Sequence, residues 1–201
     1  AAGEWKNQNA EEWKNGCVAD LRHRPPQVIR SHSLPHLGCL TYSPEHELYA
    51  ASRATGSGTI GRALLSKNPA TLNWFEPSPI GYDGPPRTLC WADHSLWVGD
   101  PTNATRIELT DRGTCQDVKN WPLPEDGWST KYHCGIVTDG LGRVYFSNEW
   151  YKGQIYRWEN GKVTKHTFSL DGYDHLSEAV PVPGTNCIYM IHSVSGKWRM
   201  E

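Results

Sequence analysis

The stretch that decides the fold is residues 135–163, GIVTDGLGRVYFSNEWYKGQIYRWENGKV. Runs of β-branched and aromatic residues predict short strands over Gly135–Thr138, Val144–Asn148 and Gln154–Trp158. Between the first two, Asp139-Gly-Leu-Gly-Arg143 reads as a turn. After the third, Glu159-Asn-Gly161 reads as a tight hairpin into Lys162, because Asn-Gly readily takes the left-handed backbone that a two-residue hairpin needs.

The unit recurs along the chain. Leu48-Tyr49, Leu96-Trp97, Val144-Tyr145 and Ile188-Tyr189 follow one another at intervals of 48, 48 and 44 residues, each after a turn. Ile60, Ile107, Ile155 and Trp198 form a second series at 47, 48 and 43. A looser third series is VIRSHSL at Val28, LNWFEPS at Leu72, VKNWPLP at Val118 and VTKHTFSL at Val163. A period near 47, built of short strands with Gly, Pro and Asp turns, excludes helical repeats and fits a four-stranded antiparallel propeller blade.

With strands lettered A to D from the axis outward, strand A falls at Cys39–Ser43, Leu89–Ala92, Cys134–Thr138 and Glu178–Val182. The expected fold is an all-β propeller of four blades over residues 17–201, preceded by an arm of residues 1–16. The last blade lacks a fourth strand before Glu201, and Gln27–Leu34 is expected to supply it, so that the two termini share a blade and no edge stays bare. The alternative is five blades, with Cys17–His23 in a partial fifth.

At 201 residues the chain can bury a full core without disulfide or metal staples. The net charge of −2 and a pI near 6.5 give no basic field for a phosphate backbone, so nucleic acid is not an expected partner. No apolar run is long enough to predict a membrane span. The chain opens on Ala1, as a mature secreted product or a trimmed chain would.

Six cysteines, Cys17, Cys39, Cys90, Cys115, Cys134 and Cys187, are widely spaced with no CxxC pair, which favours disulfides over zinc. Buried thiols acting as small hydrophobes are the alternative. In a closed ring, Cys17 and Cys187 are expected in neighbouring strands of the shared blade, where a bond would clamp it. The sequon Asn103-Ala-Thr105 agrees with an oxidising compartment and a glycoprotein, although chance supplies about one in a chain this long. Together these features predict a secreted or extracellular protein.

The pattern GIVTDGLGRVYFSN followed by GQIYRW resembles blades of the NHL, SMP-30 and strictosidine-synthase type of propeller; the other units match it in their hydrophobic skeleton. The resemblance implies the fold. Propellers of this kind include binding proteins, lactonases, lyases and cyclases, so it leaves the function open.

In a propeller, D–A and B–C connections open on one face and A–B and C–D turns on the other. Four residues after the start of each strand B come Ser52, Asp100, Asn148 and His192, all polar and all expected at one end. The D–A approaches add His36, Arg87, His133, His175 and Glu178, and the B–C side adds Arg53, Glu149 and Trp150. Convergent polar groups among aromatics mark a ligand site, and the leading expectation is a small organic or carbohydrate ligand at this axial mouth. The enzyme alternative is a lyase, lactonase or cyclase. There His133 is general acid or base, Glu149 or Glu178 orients it, and Arg53 or Arg87 stabilises developing negative charge. The third alternative is a secreted effector or scaffold for another protein. Strand ends are polar in every propeller, so the same residues also suit strand caps.

No metal or other cofactor is expected, since HxH and HExxH spacings are absent. The nearest alternatives are zinc or copper on His36, His133, His175 and His192, or calcium on Asp100, Asn148, Glu149 and Glu178. Trp97 and Trp158 are expected to pack blades rather than bind ligand, as are Trp74 and Trp121 in strand D.

Overall fold

A computed structural model of the chain describes residues 2–3, 17–20, 25, 27–30, 37–45, 47–52, 60–64, 73–74, 86, 88–100, 103–110, 114–122, 134–139, 141–148, 154–167, 178–182, 185–194 and 197–200. All regular structure among them is β. The first sheet holds β1 (Ala2–Gly3), β2 (Cys17–Asp20) and β3 (Gln27–Arg30); the second holds β4 (Leu37–Tyr42), β5 (Glu47–Ser52), β6 (Ile60–Leu64) and β7 (Asn73–Trp74). The third holds β8 (Thr88–Ala92), β9 (Ser95–Gly99), β10 (Asn103–Leu109) and β11 (Cys115–Pro122); the fourth holds β12 (Cys134–Thr138), β13 (Val144–Asn148), β14 (Gln154–Glu159) and β15 (Lys162–Thr167). The fifth holds β16 (Glu178–Pro181), β17 (Ile188–Val194) and β18 (Lys197–Met200). In each sheet the strands run antiparallel in chain order, which is the blade pattern of an all-β propeller-like fold.

The template stretch folds as its sequence predicts. Asp139, 5% exposed, closes the A–B turn of the fourth sheet by accepting from the backbone N–H of Leu141 at 2.8 Å and of Arg143 at 3.2 Å. Gly142 there sits at φ 78°, where a side chain would be strained. Asn160 and Gly161, at φ 50° and 79°, form the expected hairpin between β14 and β15. The third sheet makes its A–B hairpin with Asp93 and His94 at φ 47° and 53°, residue types that tolerate the left-handed region without glycine.

The first of the three sequence series is a true structural register. Leu48 faces Tyr42, Leu96 faces Trp91, Val144 faces Thr138 and Ile188 faces Pro181, each one step inside the A–B turn. The second series is not. Ile60 lies opposite Ala51, three residues after Leu48, whereas Ile107 lies opposite Leu96 itself and Trp198 opposite Ser193, five residues after Ile188. The position in the third sheet that corresponds to Ile60 is Ala104, opposite Gly99. B–C connections differ in length, so an equal sequence interval does not preserve the C-strand register.

Successive innermost strands abut: β1 with β4, β4 with β8, β8 with β12, and β12 with β16. Two expectations are corrected here. Gln27–Arg30 pairs with β2, not with the C-terminal sheet, so the described strands form five sheets and the pairing follows the alternative that opens a further sheet at Cys17. The Cys17–Cys187 clamp is likewise absent: Cys17 lies in β2 of the first sheet, Cys187 stands just before β17 of the fifth, and Cys187 is an exposed free thiol. Cys90 and Cys115 are also free thiols, with Cys90 buried among apolar side chains, which pushes its thiol well above the ordinary range. Of the expected N-terminal arm, Ala2–Gly3 pairs with Cys17 and Val18; residues 4–16 lie outside the described residues.

Alternation along strand B gives each central sheet two buried faces. Leu96 and Val98 turn toward the second sheet and pack with Tyr49, Ala51, Ile60, Leu89 and Ile107. Trp97 turns toward the fourth and packs with Cys90, Ala104, Ile136, Val144, Phe146 and Trp158. β9 is buried along its whole length, as a strand covered on both faces must be.

Candidate functional site

The ladders fix where the predicted mouth residues stand. Ser52 is opposite Leu37, Asn148 is opposite Cys134, Asp100 follows the Gly99–Thr88 pair, and His192 follows the Ile191–Glu178 pair. In the second, third and fourth sheets the end of strand B therefore adjoins the start of innermost strand A, and in the fifth His192 lies within β17, one step past the residue that faces Glu178. The backbone brings Ser52, Asp100, Asn148, His192 and Glu178 to one end of the sheets, next in sequence to His36, Arg87 and His133, which precede β4, β8 and β12. His36, Arg53, Arg87, His133, Glu149, Trp150 and His175 lie outside the described residues.

Asp100 is the predicted site residue whose side-chain environment is defined. It is 1% exposed, and its Oδ1 accepts the backbone N–H of Asn103 at 2.7 Å while its own N–H donates to the Asn103 carbonyl at 3.0 Å. The Asn103 amide Nδ2 adds longer contacts of 3.4 and 3.5 Å to the two carboxylate oxygens. Its carboxylate therefore ties the β9–β10 connection, which fits the strand-cap alternative for this position. Among the described residues, no group of three or more His, Cys, Asp or Glu side chains is gathered as metal ligands would be.

The opposite face is polar for internal reasons. Glu47 accepts from Arg62 and, at 2.6 Å, from the Tyr49 hydroxyl. Burial works against the Glu47 charge, but these donors outweigh it and hold the carboxyl below its ordinary range. Tyr49 moves the other way, raised by burial and by the adjacent Glu47. Asp139 is held low in the same manner: burial opposes its charge, and the Leu141 N–H, the Arg143 guanidinium at 2.6 Å and the Tyr145 hydroxyl at 3.1 Å overcome it. Arg143 also donates to the carbonyl of Asn186 at 3.3 Å, linking the A–B turns of the fourth and fifth sheets. Every one of these groups is engaged in holding turns and seams.

Sequence reasoning missed a repeated pair. Strand B places Tyr49, Trp97 and Tyr145 directly after Leu48, Leu96 and Val144, and the facing residue of strand C is an arginine each time: Arg62, Arg106 and Arg157. The three spacings along the chain differ, so no fixed period reveals them; an aromatic in strand B matched with a lone arginine in strand C was the available signal. Arg106 shows its use. It donates to Ser95 Oγ at 3.1 Å, to Asp93 at 3.1 Å and to Glu108 at 2.7 Å, and it lies 5.1 Å over the ring of Trp158 in the next sheet. Trp97 stacks on Trp121 at 5.1 Å and meets Trp158 edge-on at 5.0 Å, so these tryptophans are packing residues, as expected.

No family model and no curated protein sequence matches the chain. Solved structures do. A 6-phosphogluconolactonase-like protein from Bacteroides uniformis matches over 99% of this chain and 62% of its own, with a TM-score of 0.67 and 15% identity. A protein from Lactobacillus plantarum matches over 100% and 64%, with a TM-score of 0.61 and 11% identity. A catalytically inactive histidine-to-alanine variant of virginiamycin B lyase from Staphylococcus aureus, solved with quinupristin, matches over 82% and 55%, with a TM-score of 0.55 and 16% identity. The chain thus spans between about half and two thirds of the length of these neighbours. At such identities the likeness is one of fold, and the fold that it and the sheet topology give this chain is that of a β-propeller.

Proposed function

We propose that the chain binds a small organic or carbohydrate ligand at the face where D–A and B–C connections meet. The observation that carries this reading is the recurrence, in four consecutive sheets, of a polar strand-B residue beside the start of an innermost strand. Innermost strands that abut one another bring such ends together near one axis, and polar groups crowded there must pair or serve a ligand. Asp100, already tied to Asn103, shapes the rim, and contact with ligand falls to His36, Arg53, Arg87, His133, Asn148, Trp150, His175 and His192. An extracellular location belongs to the same proposal and rests on composition. The test is a thermal-shift screen of sugars and small organic acids against the chain and its His133→Ala and His192→Ala variants. A stabilising hit weakened by both substitutions is expected, and a hit untouched by either overturns the assignment of the face.

A second reading is favoured by the company the fold keeps. Two of the neighbours are described as a lyase and a lactonase-like protein, and the lyase is inactive in a histidine-to-alanine form. In that reading His133 transfers the proton, Glu149 or Glu178 orients it, and Arg53 or Arg87 meets developing negative charge. Turnover of a cyclic ester that vanishes in His133→Ala while binding persists would establish the enzyme; undiminished turnover in that variant would exclude this role.

A further inference from the structure

The sequon Asn103-Ala104-Thr105 lies where the fold already uses all three residues. Asn103 opens β10, a strand paired on both sides, with Asn103 opposite Pro122 of β11 and Ala104 between Gly99 of β9 and Trp121 of β11. Ala104 is fully buried in the seam with the fourth sheet, and Thr105 is 1% exposed with its hydroxyl 2.8 Å from Asn120 Oδ1. Asn103 is half-buried, and its backbone and Nδ2 both engage Asp100.

N-glycosylation forms a carbon–nitrogen bond at the asparagine Nδ2, which loses a proton as the lipid pyrophosphate leaves. The transferase must reach the amide and the hydroxyl two residues on together, and the attached glycan must stand in solvent. Here the hydroxyl is sealed between strands, the Asn103 backbone closes the β9–β10 corner on Asp100, and the amide lies 3.4 Å from the same carboxylate. We propose that this sequon is closed to glycan in the folded protein, and that Asn103 serves as the positioning residue that completes the Asp100 tie at the mouth-side end of the third sheet. Transfer to Asn103 requires β10 to leave its ladder, because the Thr105 hydroxyl that the transferase must reach is buried against Asn120. The inference stands whether or not the mouth binds a ligand, since it concerns the corner alone.

The experiment offers three acceptors to an oligosaccharyltransferase with its lipid-linked donor: the purified folded chain, its Asp100→Ala variant, and a free peptide of residues 98–110. The peptide should be modified readily and the folded chain at least about tenfold more slowly, because transfer must wait for the strand to open. Asp100→Ala should fall between them. Equal rates for peptide and folded chain would overturn the proposal, as would failure of the peptide, which would place the block in the sequence and not in the fold.

Discussion

The seam between the second and third sheets and the seam between the third and fourth share one backbone plan but are filled by different chemistry. The former is mostly aliphatic, with Ala51, Ile60, Leu89, Leu96, Val98 and Ile107 around Tyr49, which stacks on Trp91 at 5.2 Å. The latter is aromatic: Trp97, Trp121, Trp158, Phe146 and Tyr156, with Arg106 over Trp158. The difference teaches that the strand-B aromatic and its facing arginine are the constant part of a seam, and the neighbouring sheet decides what they meet.

The sharpest way to break the comparison is Trp97→Ala. It removes a fully buried ring and both of its aromatic partners at once, and should cost about 3–5 kcal/mol in denaturant unfolding. Its counterpart Tyr49→Phe keeps the stack on Trp91 and loses the bond to Glu47, for about 1.5–3 kcal/mol. If the two losses proved equal, the aromatic seam would hold no advantage.

Asp139 tests the turn that ties the fourth sheet to the fifth. Its carboxyl is held below the ordinary value in the folded chain, so the stability it supplies is present above about pH 4 and is lost as pH falls through the folded value. Asp139→Asn should remove about 2–3 kcal/mol near pH 7 and flatten the acid limb of a plot of stability against pH. Tyr49 acts at the other extreme. Its raised value means that its contribution is complete below about pH 10 and is lost as pH rises beyond, so Tyr49→Phe should blunt alkaline unfolding. Smaller effects close the series. Ile60→Val in the aliphatic seam should cost about 0.5–1.5 kcal/mol. Arg106→Met should remove about 0.5–1 kcal/mol of cation–π attraction in addition to its ion pairs, measured as a double-mutant coupling with Trp158→Leu.

Much of the fold was legible because strand B carries an apolar-aromatic pair at every turn of the repeat, and burial of both sheet faces demands such a pair. The turns at Asp139–Arg143 and Glu159–Gly161 were legible because Gly142, Asn160 and Gly161 take left-handed φ values that suit few other residues. The second series misled at Ile107 and Trp198 because connections between strands vary in length while ladder pairing does not. Ring closure misled for a related reason: Gln27–Arg30 is a plausible strand by composition, and nothing local says whether β2 or a strand far along the chain will be its partner. Of the candidate site, the common end of Ser52, Asp100, Asn148 and His192 was readable from the period. The commitment of Asp100 to Asn103 was not, because a carboxylate at a strand end looks the same whether it binds its own loop or a ligand.

By itself, the sequence determined the all-β class, the strand-B register and the turns, since each depends on residues within a few positions of one another. Only the tertiary structure decided that the described strands form five sheets, that Cys90, Cys115 and Cys187 stand as thiols, and that Tyr49, Trp97 and Tyr145 each face an arginine. These depend on which distant segments lie side by side, and that is settled by packing whole sheets against one another rather than by any local preference.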